Sequence, residues 1–356
     1  MSRSLHIIGS KRPGGAEGFY VRLLQALNES RHEAMAVCPP QSAVAHLLGD
    51  SAKQKHIKMR SHWDPVARYR LSRFISEAHP DIVMTYLGRA TRLVHLPVGK
   101  QPVHIARLGG YYDIRQYVHA HAWVGNTKGI CDYLVSSGLP AARVTYIPNF
   151  IDQAQPARED SITAAREELT LPAQAKVVLA LGRLHQVKGF DTLLRAFATL
   201  HANNKNTDVY LVILGEGSER HSLEGLACEL RIDPFLRMPG WRDSLAAYFA
   251  LAEVFVCPSR LEPFGNVILD AWSHGVPLVA TRTAGAAELV TDQVDGVLVP
   301  VDDVAAMAVE IDRIRNASNS ERFSFVEAGR KTLEQRFSRA AVVGAYLSLF
   351  DQLILQ

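Results

Sequence analysis

The sequence predicts an α/β protein of two Rossmann-like domains. Three observations predict it. Short apolar runs rich in β-branched residues alternate with helical patterns, the mark of parallel sheets covered on both faces. The alternation runs in two series, one in each half of the chain. The length, 356 residues, exceeds one typical domain.

In the first half the strand runs fall at residues 5–9, 34–38, 82–86, 103–108, 123–125 and 144–147. In the second half they fall at 176–181, 209–214, 254–257, 277–280 and 297–299. Helical patterns at 18–27, 161–169, 190–201 and 266–274 separate them. The seam lies in IPNFIDQAQPARED (147–160), where two prolines and a polar, charged run follow the last first-half strand. The expected division is 1–155 and 156–336. FSRAAVVGAYLSLFDQLILQ (337–356) reads as an amphipathic helix.

Composition narrows the class. Hydrophobic residues make up 47% of the chain, enough for two cores. The four cysteines are scattered without a C-x-x-C pair, which argues against a disulfide framework or a zinc site and suits a reducing cytosol. The apolar run in MSRSLHIIGSKR is too short for a signal peptide. No stretch approaches the roughly 20 apolar residues that span a bilayer, so the expected location is cytoplasmic, at most peripheral on the inner face of the membrane. The net charge of +3 hides an asymmetry: residues 1–150 hold 19 Lys and Arg against 9 Asp and Glu, while residues 151–356 hold 20 against 27. A basic half and an acidic half suggest two domains with different partners.

The chemistry-bearing stretches sit where parallel sheets place ligands, beyond the carboxyl ends of strands. RLEPFGNVILDAW (260–272) runs from a strand exit through a glycine turn into a helix. A helix N-terminus carries free N–H groups and a partial positive charge, and Gly265 leaves room for an anion there. Glu262 would repel that anion, so it reads as an acceptor of hydrogen bonds from sugar hydroxyls. Asp270, four residues after Asn266 on the same helix face, suits a ribose diol. LALGRLHQVKGFDTLLRAF (179–197) ends a strand at Gly182 and flanks the next loop with Arg183 and Lys188. Two cations beside a helix start suit a diphosphate whose charge grows as it departs. In IIGSKRPGGAEGFYVRLL (7–24), Gly14 and Gly15 allow close backbone approach, and Glu17 serves either a ligand or the helix N-terminus.

Other stretches exclude or extend. LGEGSER (214–220) lacks the third glycine of a dinucleotide fingerprint. MPGWRD (238–243) offers backbone groups near Gly240 for a base pocket, with Trp241 read as ordinary packing. No D-x-D triplet occurs, so no metal and no other cofactor is expected. The fourteen histidines, ten of them in residues 1–150, read mostly as surface groups. SAKQKHIKMRSHWDPVARYRLSRF (51–74) interleaves seven basic residues with Trp63, Tyr69 and Phe74 against one acid, Asp64. Such a run suits an anionic membrane surface or an acidic acceptor, a single nucleic-acid strand, or a plain solvated face. The expected partner is the membrane surface, not nucleic acid.

Together these stretches resemble the retaining glycosyltransferases of family 4, which have the GT-B fold of two Rossmann-like domains facing each other across a cleft. The carrying residues are GGAE (14–17), PNFID (148–152), GRLHQVKG (182–189), GEG (215–217), PSRLEPFGNVILDAWSHGVPLVAT (258–281) and AGAAELV (284–290). The resemblance implies a metal-independent hexosyltransferase acting on a nucleoside diphosphate sugar, UDP first among the bases. Its acceptor would be a glycan or glycolipid of the cell envelope, such as lipopolysaccharide core. It assigns Arg183 and Lys188 to the diphosphate, Glu262 to the sugar and Asp270 to the ribose. Gly15 and the backbone at Phe264, Gly265 and Asn266 would face diphosphate and sugar, and helix 337–356 would cross back onto the first domain. Two positions depart from the family: glutamate is usual at Asp270, and the usual histidine after strand 103–108 is missing. Arg107, Tyr111 and Asp113 are its candidate replacements on the acceptor side. Two rival classes are a GT-B epimerase or phosphorylase and a non-catalytic nucleotide-sugar-binding protein.

Overall fold

Runs such as Lys176–Leu181 and Val209–Leu214 are apolar on both faces, so each must be a central strand covered from both sides. A computed structural model describes residues 2–11, 14–203 and 208–355 and divides the chain into two units. One is Met1–Phe150 with Phe337–Gln356; the other is Ile151–Arg336.

In the first unit, seven parallel strands are found among the described residues. They are β1 (Arg3–Ile8), β2 (Glu33–Cys38), β3 (Gln54–His56), β4 (Ile82–Tyr86), β5 (Val103–Leu108), β6 (Ala122–Gly125) and β7 (Val144–Tyr146), in the order β3-β2-β1-β4-β5-β6-β7. Helix Gly15–Glu29 buries Phe19, Tyr20, Leu23, Leu24 and Leu27 against the sheet. The C-terminal helix Arg339–Ile354 adds Val342, Tyr346, Phe350 and Leu353 to the same core, so the end of the chain belongs to its first unit.

The second unit holds β8 (Lys176–Leu181), β9 (Val209–Leu214), β10 (Leu236–Gly240), β11 (Ala252–Cys257), β12 (Leu278–Thr281) and β13 (Val297–Val299). These six, again among the described residues, are all parallel in the order β10-β9-β8-β11-β12-β13. The strand order reverses between β8 and β11. The crevice beyond the carboxyl ends of those two strands is where an open parallel sheet admits a ligand.

Two strands escaped the sequence reading. β3 lies inside the basic run 51–74, at the sheet edge, where Lys55 and His56 are exposed. An edge strand with charged side chains resists pairing with another chain and carries no apolar alternation. β10 is the opposite edge of the second sheet and contains Pro239, which an edge tolerates because no ladder partner needs its missing N–H. Three of the fourteen histidines are exceptions to the surface reading. His6, His32 and His104 are buried. Ser4 Oγ lies 2.9 Å from His6 Nε2 and 2.8 Å from His32 Nε2, and His6 Nδ1 lies 2.9 Å from the Tyr86 hydroxyl. Burial, then the nearby His32, pushes the His6 pKa down to about 3, so the ring stays neutral inside the sheet. A strand covered on both faces leaves its polar residues no route to water.

Candidate functional site

The loops leaving β8, β9 and β10 are stitched edge to edge. Gly182 N donates to Leu214 O (3.0 Å), Leu184 N to Glu216 O (2.9 Å) and Gly215 N to Gly240 O (2.9 Å). A Cβ on Gly215 would overlap the Gly182 carbonyl oxygen, and one on Gly217 would overlap that of Leu184. The glycines of GEG (215–217) thus exist for loop-on-loop packing, and no dinucleotide turn is needed to account for them.

After β8 the chain makes a 3₁₀ turn over Gln186–Lys188 and reverses at Gly189, whose φ is 64°. Gly189 presses on Pro258 so closely that a Cβ would overlap the Pro258 carbonyl oxygen. The loop after β11 is clamped to this turn: Arg260 N and Leu261 N both donate to Val187 O, at 2.8 and 3.2 Å. The Arg260 guanidinium grips Asp191 through two bonds (2.8 and 2.7 Å) and reaches Asp302 at 2.8 Å. These two acids push the Arg260 pKa up, a fixed cation used to hold backbone in place. Sequence reasoning passed over Arg260; an arginine two residues before the acid of the motif was its only signal.

The clamp brings Lys188 against Glu262. Lys188 Nζ donates to Glu262 Oε2, and the two side chains are only 24% and 12% exposed. Ser259, buried at the exit of β11, donates its hydroxyl to the same oxygen at 3.3 Å. Glu262 O accepts from Gly285 N (3.0 Å), where a Cβ would overlap the carbonyl oxygens of Glu262 and Phe264. That contact explains the glycine in AGAAELV. Gly265, with φ 107°, then opens helix Asn266–Ser273 with no side-chain cap. Phe264 is buried, while Asn266 and Asp270 are half-buried on this helix start. Arg183 is exposed on the loop that carries Lys188. Cys257 lies close by, its Sγ 3.7 Å from Ser259 Oγ. Burial, then the Glu262 carboxylate, pushes its thiol up to about 11, too high for a nucleophile at neutral pH.

Trp241 corrects an expectation: it is 57% exposed, not packed. It follows the Gly240 turn (φ 95°), and its indole N–H donates to Asp243 Oδ1 at 3.3 Å. Arg242 is the more covered of the two, half-buried and held by Glu168 and by the Tyr248 hydroxyl (2.8 Å). The Gly240 carbonyl already accepts from Gly215, leaving fewer backbone groups there for a base.

In the first unit the candidates separate by environment. Gly15 is the first helical residue after the β1 exit, and Glu17 is buried in the first turn of that helix. Arg107 is 3% exposed: its guanidinium lies 4.2 Å from the Phe19 ring centroid and donates to Asn149 Oδ1. It braces the unit from inside, at the asparagine of PNFID. Tyr111 is 45% exposed and meets Tyr133 edge-on, ring centroids 5.5 Å apart. Asp113 caps a 3₁₀ turn and accepts from the Arg115 guanidinium at 2.7 Å, whose hydrogen bonds hold its carboxyl below the usual range. In the basic run, Trp63, Val66 and Tyr69 are 74%, 55% and 67% exposed, and the Arg92 guanidinium lies 4.3 Å over the Trp63 ring. Asp64, the lone acid, is spent on capping helix Pro65–Ala78 through Ala67 N (3.0 Å). Among the described residues no group of three or more His, Cys, Asp or Glu could hold a metal ion, and no helix is long and apolar enough to cross a membrane.

Comparison with known proteins bears on the same elements. Residues 13–155 match the family described as Glycosyltransferase Family 4, and residues 175–316 match Glycosyl transferases group 1. Over 341 residues the chain is 34% identical to the lipopolysaccharide core biosynthesis glycosyltransferase LpsE of Rhizobium meliloti, covering 95% of this chain and 96% of that one. Among solved structures, a glycosyltransferase from Rickettsia africae superposes with a TM-score of 0.85 at 16% identity, covering 100% of this chain and 99% of that one. Anabaena HepE in complex with UDP and glucose gives 0.83 at 19%, covering 99% and 100%. At these identities the superpositions establish the fold, GT-B.

Proposed function

Because this chain belongs to glycosyltransferase family 4, we propose that it moves a hexosyl group from a nucleoside diphosphate sugar, UDP-linked first, to a glycan or glycolipid acceptor with retention and without a metal. The observation that carries the proposal is the Lys188–Glu262 contact between the two loops where the strand order of the second sheet reverses. A cation and a carboxylate held there supply one group for phosphate and one for sugar hydroxyls. Arg183 and the glycine-opened helix at Gly265 add positive charge for the departing diphosphate. In the reaction the sugar C1–O bond to phosphate breaks and a C1–O bond to the acceptor forms on the same face. The acceptor hydroxyl passes its proton to the leaving phosphate, so the protein need supply no nucleophile. Positioning and charge stabilisation then perform the catalysis.

The likeness to LpsE, named for lipopolysaccharide core biosynthesis, supports an acceptor of that class. HepE, which binds UDP and glucose, supports a UDP donor. A melting-temperature screen of UDP-, GDP- and ADP-sugars tests the donor: one of them binds the folded state and raises the melting temperature by several degrees. No rise with any donor, together with no nucleoside diphosphate released when envelope glycolipid is added, would sink the reading.

The exposed Trp63, Val66 and Tyr69 with Arg70 and Arg73 on helix Pro65–Ala78 suit the cytoplasmic surface of an anionic bilayer, where a glycolipid acceptor resides. Sedimentation with phosphatidylglycerol vesicles should show binding that weakens as salt rises from 50 to 300 mM, because screened charge carries part of it (the Debye length falls below about 10 Å near 0.1 M). Equal binding to neutral phosphatidylcholine vesicles would overturn the membrane assignment.

A further inference from the structure

The groups assigned above to phosphate and to sugar are, in this structure, engaged with each other. A donor cannot use both and leave that pair intact. Lys188 ends in a mobile point charge that a diphosphate draws away. Glu262 is then a largely buried carboxylate that has lost its cation, and such a group needs its remaining hydrogen bonds to stay in place.

Ser259 is built to supply one. It is 2% exposed, and its hydroxyl donates to Glu262 Oε2, the same oxygen that takes Lys188. It is itself immobilised, because its carbonyl accepts from the hydroxyl of Thr281, a residue 1% exposed at the end of β12. The backbone of Glu262 is held separately, through Gly285 N. Ser259 therefore controls the aim of the carboxylate and not the course of the loop.

We propose that the Lys188–Glu262 pair is a resting contact which a nucleoside diphosphate sugar divides, Lys188 passing to phosphate and Glu262 to sugar hydroxyls, and that Ser259 is the positioning residue that keeps Glu262 aimed once Lys188 has left. This inference rests on the donor reading of the same site. It separates two ligands that otherwise look alike. A nucleoside diphosphate draws Lys188 but offers Glu262 nothing, whereas the sugar-bearing donor engages both.

The test is calorimetric titration of wild type, Ser259→Ala and Ser259→Thr with UDP and UDP-glucose, with the GDP/GDP-mannose and ADP/ADP-glucose pairs in parallel. For the pair that binds, Ser259→Ala keeps the nucleoside diphosphate affinity within about twofold and loses about tenfold for the sugar donor, the scale of one hydrogen bond to a charged group. Ser259→Thr, which keeps the hydroxyl, recovers most of that loss. If Ser259→Ala weakens both ligands equally, its role is structural and the inference is overturned; if it changes neither, the inference is overturned as well. If wild type binds none of the six compounds, the donor reading fails first and this inference falls with it.

Discussion

Alanine at Lys188 should lower sugar transfer by about 10²–10³-fold, the usual cost of removing one fixed donor aimed at charge that grows in the transition state. Release of nucleoside diphosphate in the presence of envelope glycolipid measures it. Alanine at Glu262 should cost as much by a different route. Lys188→Ala weakens binding of the nucleoside diphosphate itself, because the lost cation faces the phosphates. Glu262→Ala leaves that affinity largely intact and shows its loss in turnover of the sugar donor. Since the two side chains touch, their effects are coupled, and the double variant should fall far short of the product of the single losses. Both variants keep the clamp around Arg260, so both should melt close to wild type. A folded Glu262→Ala protein that transfers sugar at the wild-type rate would show that the site lies elsewhere.

Gly189→Ala should unfold the second unit more readily, by about 2–4 kcal/mol in urea denaturation. Two costs add. An alanine at φ 64° carries left-handed strain of about 1–2 kcal/mol. Its Cβ also overlaps the Pro258 carbonyl oxygen, so the loop bearing Lys188 must part from the loop bearing Glu262. Gly99→Ala isolates the first cost, since Gly99 has φ 74° but no atom within 4 Å of the added Cβ. The expected order is wild type, then Gly99→Ala about 1 kcal/mol lower, then Gly189→Ala. Equal losses for the two variants would mean that the loop contact contributes nothing.

What the sequence disclosed follows from how each signal arises. β8, β9 and β13 were legible to the residue because strands buried on both faces are near-continuous apolar runs. β3 and β10 were not, because their residues are mostly exposed or half-buried, charged in one and interrupted by Pro239 in the other, so neither forms an apolar run. The motif loops were legible as chemistry, but the reasons for their glycines were not. Gly215, Gly217, Gly189 and Gly285 are fixed by backbone atoms 21 to 69 positions away in the chain, and no local pattern encodes such a contact. Arg107 illustrates the same limit. From the sequence it is a candidate acceptor-side replacement for the missing histidine; in the fold its guanidinium lies over the Phe19 ring and donates to Asn149. Trp241 errs in the other direction, since an aromatic beside a strand suggests packing until the turn at Gly240 carries it outward.

The placement of helix Arg339–Ile354 in the first unit has a consequence for biosynthesis. A ribosome delivers residues 1–150 first, yet the faces of Phe19 and His32 stay uncovered until Tyr346 and Phe350 emerge. The second unit, continuous in the chain, can mature in the interval. Nascent-chain folding would therefore run out of order, the middle of the polypeptide settling before its beginning. During that interval the half-made first unit presents an adhesive surface of the kind holdase chaperones bind.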